Sequence, residues 1–217
     1  MKTDNKNRLF WMCCPAIILI GVFVLLPLLK GIQLSLTNWN GFSRDYSYVG
    51  FSNYKNLFTD AKIINAFKNT IYVAIGDTAT QNILGLIYAL LLNRAFKGKN
   101  IVRAIIYMPV MVSGLIMGYI WFFIVQYDNG ALNDIVMLFN MNPIDWLGDG
   151  DRAVNFIMII TSMQFVGQAM IIYLAGLQGI PKALYEAASI DGASGITKFF
   201  YVTLPMLKPA ILTTVTL

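Results

Sequence analysis

Histidine is absent from this sequence, and only two cysteines are present. Without an imidazole, catalytic triads that depend on a histidine base are excluded, and so are histidine metal sites. Cys13 and Cys14 are adjacent, with neither metal-ligand spacing nor a further cysteine as a partner. A glycine-rich phosphate loop is also missing, because "GKN" at Gly98 has no glycine five residues earlier. We therefore expect no catalytic residue, no metal site and no cofactor.

Charge is scarce as well. Only 12% of the residues are charged and 57% are apolar, whereas about a quarter of the residues in a soluble domain are charged. Uncharged windows of about 20 residues can cross the bilayer as helices, because a helix pairs its own backbone groups. Such windows predict four spans, at about 9–29, 71–92, 104–127 and 154–177.

A fifth apolar window begins at about residue 209 and reaches the last residue. A helix of that length covers less than half of a hydrocarbon core of roughly 30 Å. We therefore expect a truncated chain whose C-terminal spans are missing. The fold class predicted for 1–217 is an all-α integral membrane protein with a single transmembrane helix-bundle domain.

The distribution of lysine and arginine predicts the orientation. Three basic residues precede the first span, and the loop at 93–103 has four basic residues and no acid. The loop at 128–152 has five aspartates and one arginine. Because basic residues prefer the cytoplasmic side, the N-terminus and the segment 180–208 are expected to be cytoplasmic. The loop at 30–69 is basic and disagrees, but longer loops obey the rule more weakly; one or two short helices are expected in it.

The segment 180–208 has the pattern of a helix, a break and a second helix. Good helix formers follow Pro181, and Gly192 can adopt the left-handed conformation that ends a helix. Ser194 can cap the second helix. Pro205 disfavours a helical Leu204, and is therefore expected to end or kink that helix. The small residues permit docking of another protein without requiring it, and by themselves they favour an interfacial hairpin that caps the bundle.

Polar residues within the predicted spans allow two interpretations. Gln164, Gln168 and Tyr173 lie at near-helical steps and could line a route for a hydroxyl-rich solute, or could join helices by hydrogen bonds. Asp77 is the one acid inside a span and a functional candidate by its position. Because it lies about 9 Å along the helix from residue 71, it could also reach the outer surface.

A family resemblance adds to these patterns. "EAASIDGAS" (Glu186–Ser194) followed by "FFYVTLP" (Phe199–Pro205) resembles the EAA loop of inner-membrane permease subunits of binding-protein-dependent ABC importers. The chain resembles the carbohydrate-uptake branch in particular. The motifs that carry this resemblance are "LAGLQGIPKALYEAA", "VGFSNYKNLF", "NTIYVAI", "GYIWFFI" and "GALN". These motifs cover nearly the whole chain in the right order.

The resemblance implies that 180–208, which we call the coupling segment, is seated on a cytoplasmic ATPase subunit. The residues that it assigns to ATPase coupling are Glu186, Ala187, Ala188, Asp191, Gly192, Ala193, Leu204 and Pro205. The partners that it implies are a second permease subunit, two ATPase subunits, an extracytoplasmic solute-binding protein and the lipid bilayer, with no nucleic acid. Permeases of this family usually have six spans, and some have eight, so four spans and a fragment are a departure.

The leading hypothesis is a non-enzymatic permease subunit of an ATP-driven importer for a sugar or related polyol, located in a bacterial-type inner membrane. Its energy comes from a separate ATPase, since the chain has no nucleotide motif. One alternative is an ion-gradient-driven secondary transporter that uses Asp77. Another is a scaffold whose hairpin recruits a cytoplasmic protein. Neither alternative has a supporting motif.

Overall fold

The computed structural model describes residues 3–216. Within this range the regular structure is helical, apart from one isolated antiparallel bridge between Thr37 and Tyr48. The all-α fold class predicted from the sequence is therefore confirmed. The chain divides into two compact units, Met1–Lys68 and Asn69–Leu217. The prediction of a single domain over the whole chain stays a prediction.

The first unit begins with a long helical stretch. Helix α1 (Thr3–Ile20) continues through a π-helical turn (Gly21–Leu25) into α2 (Leu26–Ser35). The π turn ends two residues before Pro27, and the Leu26 amide donates to the Gly21 carbonyl. A proline has no amide hydrogen, and its ring crowds the carbonyl four residues earlier. The wider turn therefore accommodates this proline without ending the helix.

A short helix, α3 (Ser52–Thr59), follows α2 in the first unit. The Asn53 side chain donates to the backbone carbonyls of Ser35 at 2.9 Å and of Thr37 at 2.7 Å. One amide group thus fixes α3 against the end of α2. The loop predicted at 30–69 therefore holds one short helix, and its last residues form the beginning of the next long helix.

The second unit is built around one long helix. Its elements include α4 (Ala61–Leu92, beginning in the first unit), α5 (Lys99–Met111), α6 (Gly114–Val125), α7 (Ala131–Leu138) and α8 (Gly150–Gln178). Helix α8 contributes most of the buried core, which also contains Ala89 and Leu207, both fully buried. Large apolar side chains on other helices are exposed, as Leu115 is at 74%. Such exposure suits lipid or a partner subunit as the surrounding medium.

Glycines allow α8 to approach its neighbours closely. A Cβ atom on Gly85 of α4 would lie 2.7 Å from the Ala169 Cβ and 3.0 Å from the Met170 amide nitrogen. A Cβ on Gly167 would lie 2.5 Å from the Ile106 carbonyl oxygen of α5. Between helices in a membrane, close van der Waals packing replaces the hydrophobic drive that water would supply. These two glycines therefore determine how α4 and α5 pack on α8.

The region predicted as a third span, 104–127, is not one helix. Helix α5 ends at Met111, α6 begins at Gly114, and their axes differ by 101°. Val112 is extended, and Ser113 caps α6 by accepting a hydrogen bond from the Ile116 amide. The apolar composition of the window suggested continuity, but an N-cap serine in extended conformation begins a new helix.

Asn133 organises the connection between α6 and α8. It is fully buried, and its Nδ2 donates to the carbonyls of Tyr127 and Ile144, each at 3.0 Å. Its Oδ1 accepts from the Ile144 amide and from the Trp146 Nε1, also at 3.0 Å. All the hydrogen-bonding capacity of one side chain thus holds this connection closed.

Three helical stretches in the described range are long and apolar enough to cross a membrane: Trp11–Ser35, Ala61–Leu92 and Gly150–Gln178. The number rises to five if each of two bent helix pairs counts as one span. One pair is α5 with α6, and the other joins Gly195–Met206 to Lys208–Thr216 at 61°. The helices of the second and fourth predicted spans begin before residues 71 and 154, and the membrane limits of all the spans stay predictions.

Candidate functional site

The first half of the coupling segment is a helix with a glycine-dependent end. Helix α9 (Lys182–Ile190) is followed by Gly192, whose φ is +75°. The Gly192 amide donates to the Ser189 carbonyl at 3.1 Å, and the Ala193 amide donates to the Ala188 carbonyl at 2.9 Å. This pair of bonds is the Schellman motif, which uses a left-handed residue to satisfy the last carbonyls of a helix. The predicted conformation of Gly192 is confirmed.

The second half begins as predicted at Ser194 but continues further than expected. Ser194 caps α10 (Gly195–Lys198) by accepting from the Thr197 amide at 3.3 Å. A π-helical turn (Phe199–Thr203) and α11 (Leu204–Met206) follow. Leu204 is helical, with φ −63° and ψ −43°, so the prediction that Pro205 disfavours a helical Leu204 and ends or kinks the helix there is wrong. As before Pro27, a π turn precedes the proline and removes the conflict.

The chain bends at Leu207 instead, before α12 (Lys208–Thr216). Pro209 has no amide hydrogen to donate to the Pro205 carbonyl, so the helical ladder is interrupted there. Leu207 is fully buried. A Cβ on Gly176 of α8 would lie only 2.9 Å from the Leu207 Cδ2. The end of the coupling segment is therefore packed tightly against the central helix.

Side-chain hydrogen bonds tie the two halves of the coupling segment together. The Lys198 Nζ donates to the Ser189 Oγ at 2.6 Å. The Ser189 hydroxyl in turn donates to the Tyr185 carbonyl at 2.7 Å. The Tyr185 hydroxyl and the buried Thr203 Oγ1 are 3.0 Å apart. The sequence patterns did not identify these residues, because their partners lie across the hairpin.

The coupling segment exposes an apolar surface. Ile190 is 87% exposed, Ile196 is 74% exposed and Tyr201 is 80% exposed. The eight residues predicted for ATPase coupling lie along the same segment. Glu186, Ala187, Asp191, Gly192 and Pro205 are exposed, whereas Ala188, Ala193 and Leu204 are half-buried. The coupling segment is therefore a hairpin that is held together by its own hydrogen bonds and exposes a surface that another protein could contact.

A second feature, the polar cavity, lies between α4, α8 and α12. Its volume is about 390 Å³. Its lining residues are Ala74, Asp77, Thr78, Gln81, Thr161, Phe165, Gln168, Ala169, Ile172 and Thr214. Hydroxyl, amide and carboxylate groups are therefore concentrated inside helices that are otherwise apolar.

Asp77 lines this cavity and is held by a hydrogen bond from α8. Helix α4 begins at Ala61, so Asp77 lies near the middle of its 32 residues. The buried Ser162 hydroxyl donates to the Asp77 Oδ1 at 2.6 Å. The helix begins ten residues before the predicted span, but the membrane limits of that span stay predictions, and so does the expectation that Asp77 could reach the outer surface.

The three predicted pathway residues occupy different places. Gln168 lines the polar cavity, whereas Gln164 and Tyr173 are not among its lining residues. Tyr173 is buried in the core, where its hydroxyl donates to the Asn82 Oδ1. The Thr214 Oγ1 lies 2.6 Å from that Asn82 oxygen and 2.9 Å from the Tyr173 hydroxyl. Asn82, Tyr173 and Thr214 thus form a polar node that joins α4, α8 and α12.

Thr78, Gln81 and Asn82 are not among the residues predicted from the sequence, but their spacing relative to Asp77 is a detectable signal. Asp77, Thr78, Gln81 and Asn82 recur at helical spacing along α4. That pattern marks one polar face on an apolar helix. Which helix it faces depends on tertiary packing and has no local signature.

Comparison with known proteins identifies the class. Residues 81–217 match the family described as the inner membrane component of binding-protein-dependent transport systems. The chain belongs to this family. It is 33% identical to the probable starch degradation products transport system permease protein of Thermoanaerobacterium thermosulfurigenes, over 94% of this chain and 70% of that protein. It is 32% identical to the trehalose/maltose transport system permease protein of Thermococcus litoralis, over 98% and 72% respectively.

A solved structure has the same fold. A bacterial ABC transporter involved in the import of the acidic polysaccharide alginate has a chain that superposes with a TM-score of 0.82. The sequence identity is 24%, and the match covers 98% of this chain and 72% of that one. The structural likeness supports the permease-type helix bundle expected from the sequence.

Membership of the family settles the class of activity. The chain is a multi-pass inner-membrane permease subunit of an ATP-driven importer that works with a binding protein. It is not an enzyme, because separate ATPase subunits hydrolyse ATP for permeases of this kind. A second permease subunit completes the membrane part. The alternative of an ion-gradient-driven transporter finds no support in these matches.

Proposed function

We propose that this permease subunit conducts a sugar or related polyol through a route that includes the polar cavity. The two relatives described above are named for starch degradation products and for trehalose or maltose. The cavity supports the same solute class, since its hydroxyl, amide and carboxylate groups can exchange hydrogen bonds with a hydroxyl-rich solute. Phe165 adds an aromatic side chain to this lining.

Substitution of Gln168 tests this route, with substitution of Gln164 on the same helix as the matched control. Gln168→Leu removes an amide from the cavity wall, so we expect a higher KM for solute uptake. Gln164→Leu removes an amide outside the lining and is expected to leave KM unchanged. Uptake of labelled maltotriose by the reconstituted complete importer measures both. Equal effects of the two substitutions would contradict the assignment of Gln168 to the route.

We propose that the coupling segment transmits the movement of the ATPase subunits to the helices. The observation that supports this most strongly is an exposed apolar surface on a hairpin that is hydrogen-bonded internally and packed on α8 through Leu207. The segment would receive a push at its surface and pass it to α8 and α12. Glu186 and Asp191, both exposed, offer acceptors to basic groups of the ATPase.

The coupling test uses Glu186→Ala with Lys182→Ala as a control. Both residues are exposed and charged on α9, but only Glu186 belongs to the proposed docking set. We expect Glu186→Ala to weaken ATPase association and uptake, and Lys182→Ala to leave both near the wild-type level. Measurement combines pull-down of the ATPase subunit with uptake in proteoliposomes. Full association and uptake in the Glu186→Ala variant would refute the coupling role.

The proposed orientation places the N-terminus and the coupling segment on the cytoplasmic side. Single cysteines at Ser194 and Asn129, in a background with Cys13 and Cys14 changed to serine, report it. A membrane-impermeant thiol reagent added to whole cells should label the Asn129→Cys variant alone. Labelling of Ser194→Cys from outside would overturn this orientation.

A further inference from the structure

The polar cavity carries a charge of one sign. Among the residues described as lining it, Asp77 is the only charged one, and the others are hydroxyl, amide, aromatic or aliphatic. No lysine or arginine of that lining balances the carboxylate. A solute inside the cavity therefore meets hydrogen-bonding groups on several sides and a negative charge on one.

The position of that charge is fixed by the packing of two helices. The Ser162 hydroxyl, buried in α8, donates to the Asp77 Oδ1 at 2.6 Å. A hydroxyl orients a carboxylate and stabilises it by a charge-assisted hydrogen bond, but it does not cancel the charge. Within low-dielectric walls the charge acts more strongly on a nearby solute than it would in water.

We propose that Asp77 makes the polar cavity select against anionic solutes and admit neutral or amino-bearing ones. The inference rests on the proposed function, in which the cavity lies on the solute route. Hydroxyl and ammonium groups can donate to the free lone pairs of the carboxylate, whereas a carboxylate or phosphate on the solute would be repelled. Uronate-rich or phosphorylated sugars are thereby separated from neutral oligosaccharides at this point.

The charge of the cavity can be measured without knowing the solute. A Thr78→Cys variant, in the background with Cys13 and Cys14 changed to serine, places a reporter thiol in the lining. Its reaction rates with a cationic and an anionic methanethiosulfonate of similar size are compared in the complete importer, each normalised to a free thiol. A unit charge about 6 Å away should favour the cation about tenfold, even at the dielectric constant of water.

Substitutions at Asp77 decide the cause of this preference. Asp77→Asn should abolish it, and Asp77→Glu should retain it. Asp128→Asn, which removes an exposed carboxylate outside the cavity, should have no effect. A preference that persists in Asp77→Asn would overturn the proposal. So would failure of both reagents to react at Thr78→Cys and at a second reporter, Gln81→Cys, since the cavity would then be closed to charged solutes of either sign.

Uptake gives an independent readout. The rate for maltotrionate divided by the rate for maltotriose is measured for the wild type and for Asp77→Asn with the same binding protein, so the preference of that protein cancels. We expect the quotient to rise about threefold in Asp77→Asn, because an anion and a neutral solute differ by half of the free energy that separates a cation from an anion; an unchanged quotient overturns the proposal. Because thiol reaction needs no transport, charge selectivity without any sugar uptake would refute the proposed function alone. Sugar uptake without charge selectivity would refute this inference alone.

Discussion

Gly192 allows a sharp test of the coupling segment, because its substitution changes the backbone preference and little else. Its φ is +75°, and a Cβ placed on it would meet no atom within 4 Å. A substitution by alanine therefore creates no clash. An L-residue other than glycine or asparagine pays about 1–2 kcal/mol to enter the left-handed region. If docking requires this turn, Gly192→Ala should weaken ATPase association by about 5–30-fold.

Two further variants separate the effect of the left-handed backbone conformation from a general loss of folding. Gly195 lies in the same segment, has no positive φ, and would also meet no atom within 4 Å of an added Cβ. Gly195→Ala is therefore expected to leave association unchanged. Gly192→Asn should fall between wild type and Gly192→Ala, because asparagine tolerates the left-handed region. The assay is titration of the purified ATPase subunit onto the permease pair in nanodiscs.

Either of two results would refute a conformational role of Gly192 in docking. One is an equal dissociation constant for Gly192→Ala and Gly195→Ala. The other is an asparagine variant as weak as the alanine variant, since a steric cause would then replace the conformational one.

Three other substitutions test the packing and the polar contacts. Gly85→Leu should overpack the contact between α4 and α8, which costs about 1–3 kcal/mol of stability and lowers the Tm of the protein in detergent. Gly118→Leu, whose added side chain would enter open space, should leave the Tm unchanged. Equal Tm values for the two variants would contradict the close approach of α4 and α8. Asn133→Leu should leave the Trp146 Nε1 and three backbone groups without their hydrogen-bond partner, which destabilises the connection between α6 and α8 by about 2–4 kcal/mol. Faster limited proteolysis between residues 127 and 149 would show this, and an unchanged rate would not fit. Thr214→Val should reduce uptake several-fold while ATPase association stays normal; loss of both would point to misfolding.

Local features of the coupling segment could be predicted from its sequence. The left-handed turn at Gly192 and the serine cap at Ser194 depend on residues within a few positions, so propensity alone identifies them. The helical Leu204 departs from the rule for residues before proline, which describes a steric preference that Pro-kinked helices override. The π turn over Phe199–Thr203 answers a different conflict, because its wider ladder accommodates the missing amide and the ring of Pro205.

The polar contacts between helices could not be predicted in the same way. The partners in the bond between Asp77 and Ser162 are separated by 85 residues, and those in the bond between Asn82 and Thr214 by 132. Periodicity shows that α4 has a polar face but not which helix covers it. Tyr173 is an example: its spacing predicts a place in the solute pathway, but its hydroxyl makes a hydrogen bond in the core.

The internal bonding of the coupling segment bears on how force could pass through it. A hairpin held only by its backbone would deform at the Gly192 turn when pushed. Here two side-chain hydrogen bonds join the two halves, one between Lys198 and Ser189 and the other between Tyr185 and Thr203. These bonds oppose such deformation of the hairpin. Beyond the brace, the fully buried Leu207 lies where the chain turns by 61° into α12. Under the proposed coupling role, displacement of the braced hairpin would act on α12 through this bend, and through α12 on the Thr214 hydroxyl that lines the polar cavity.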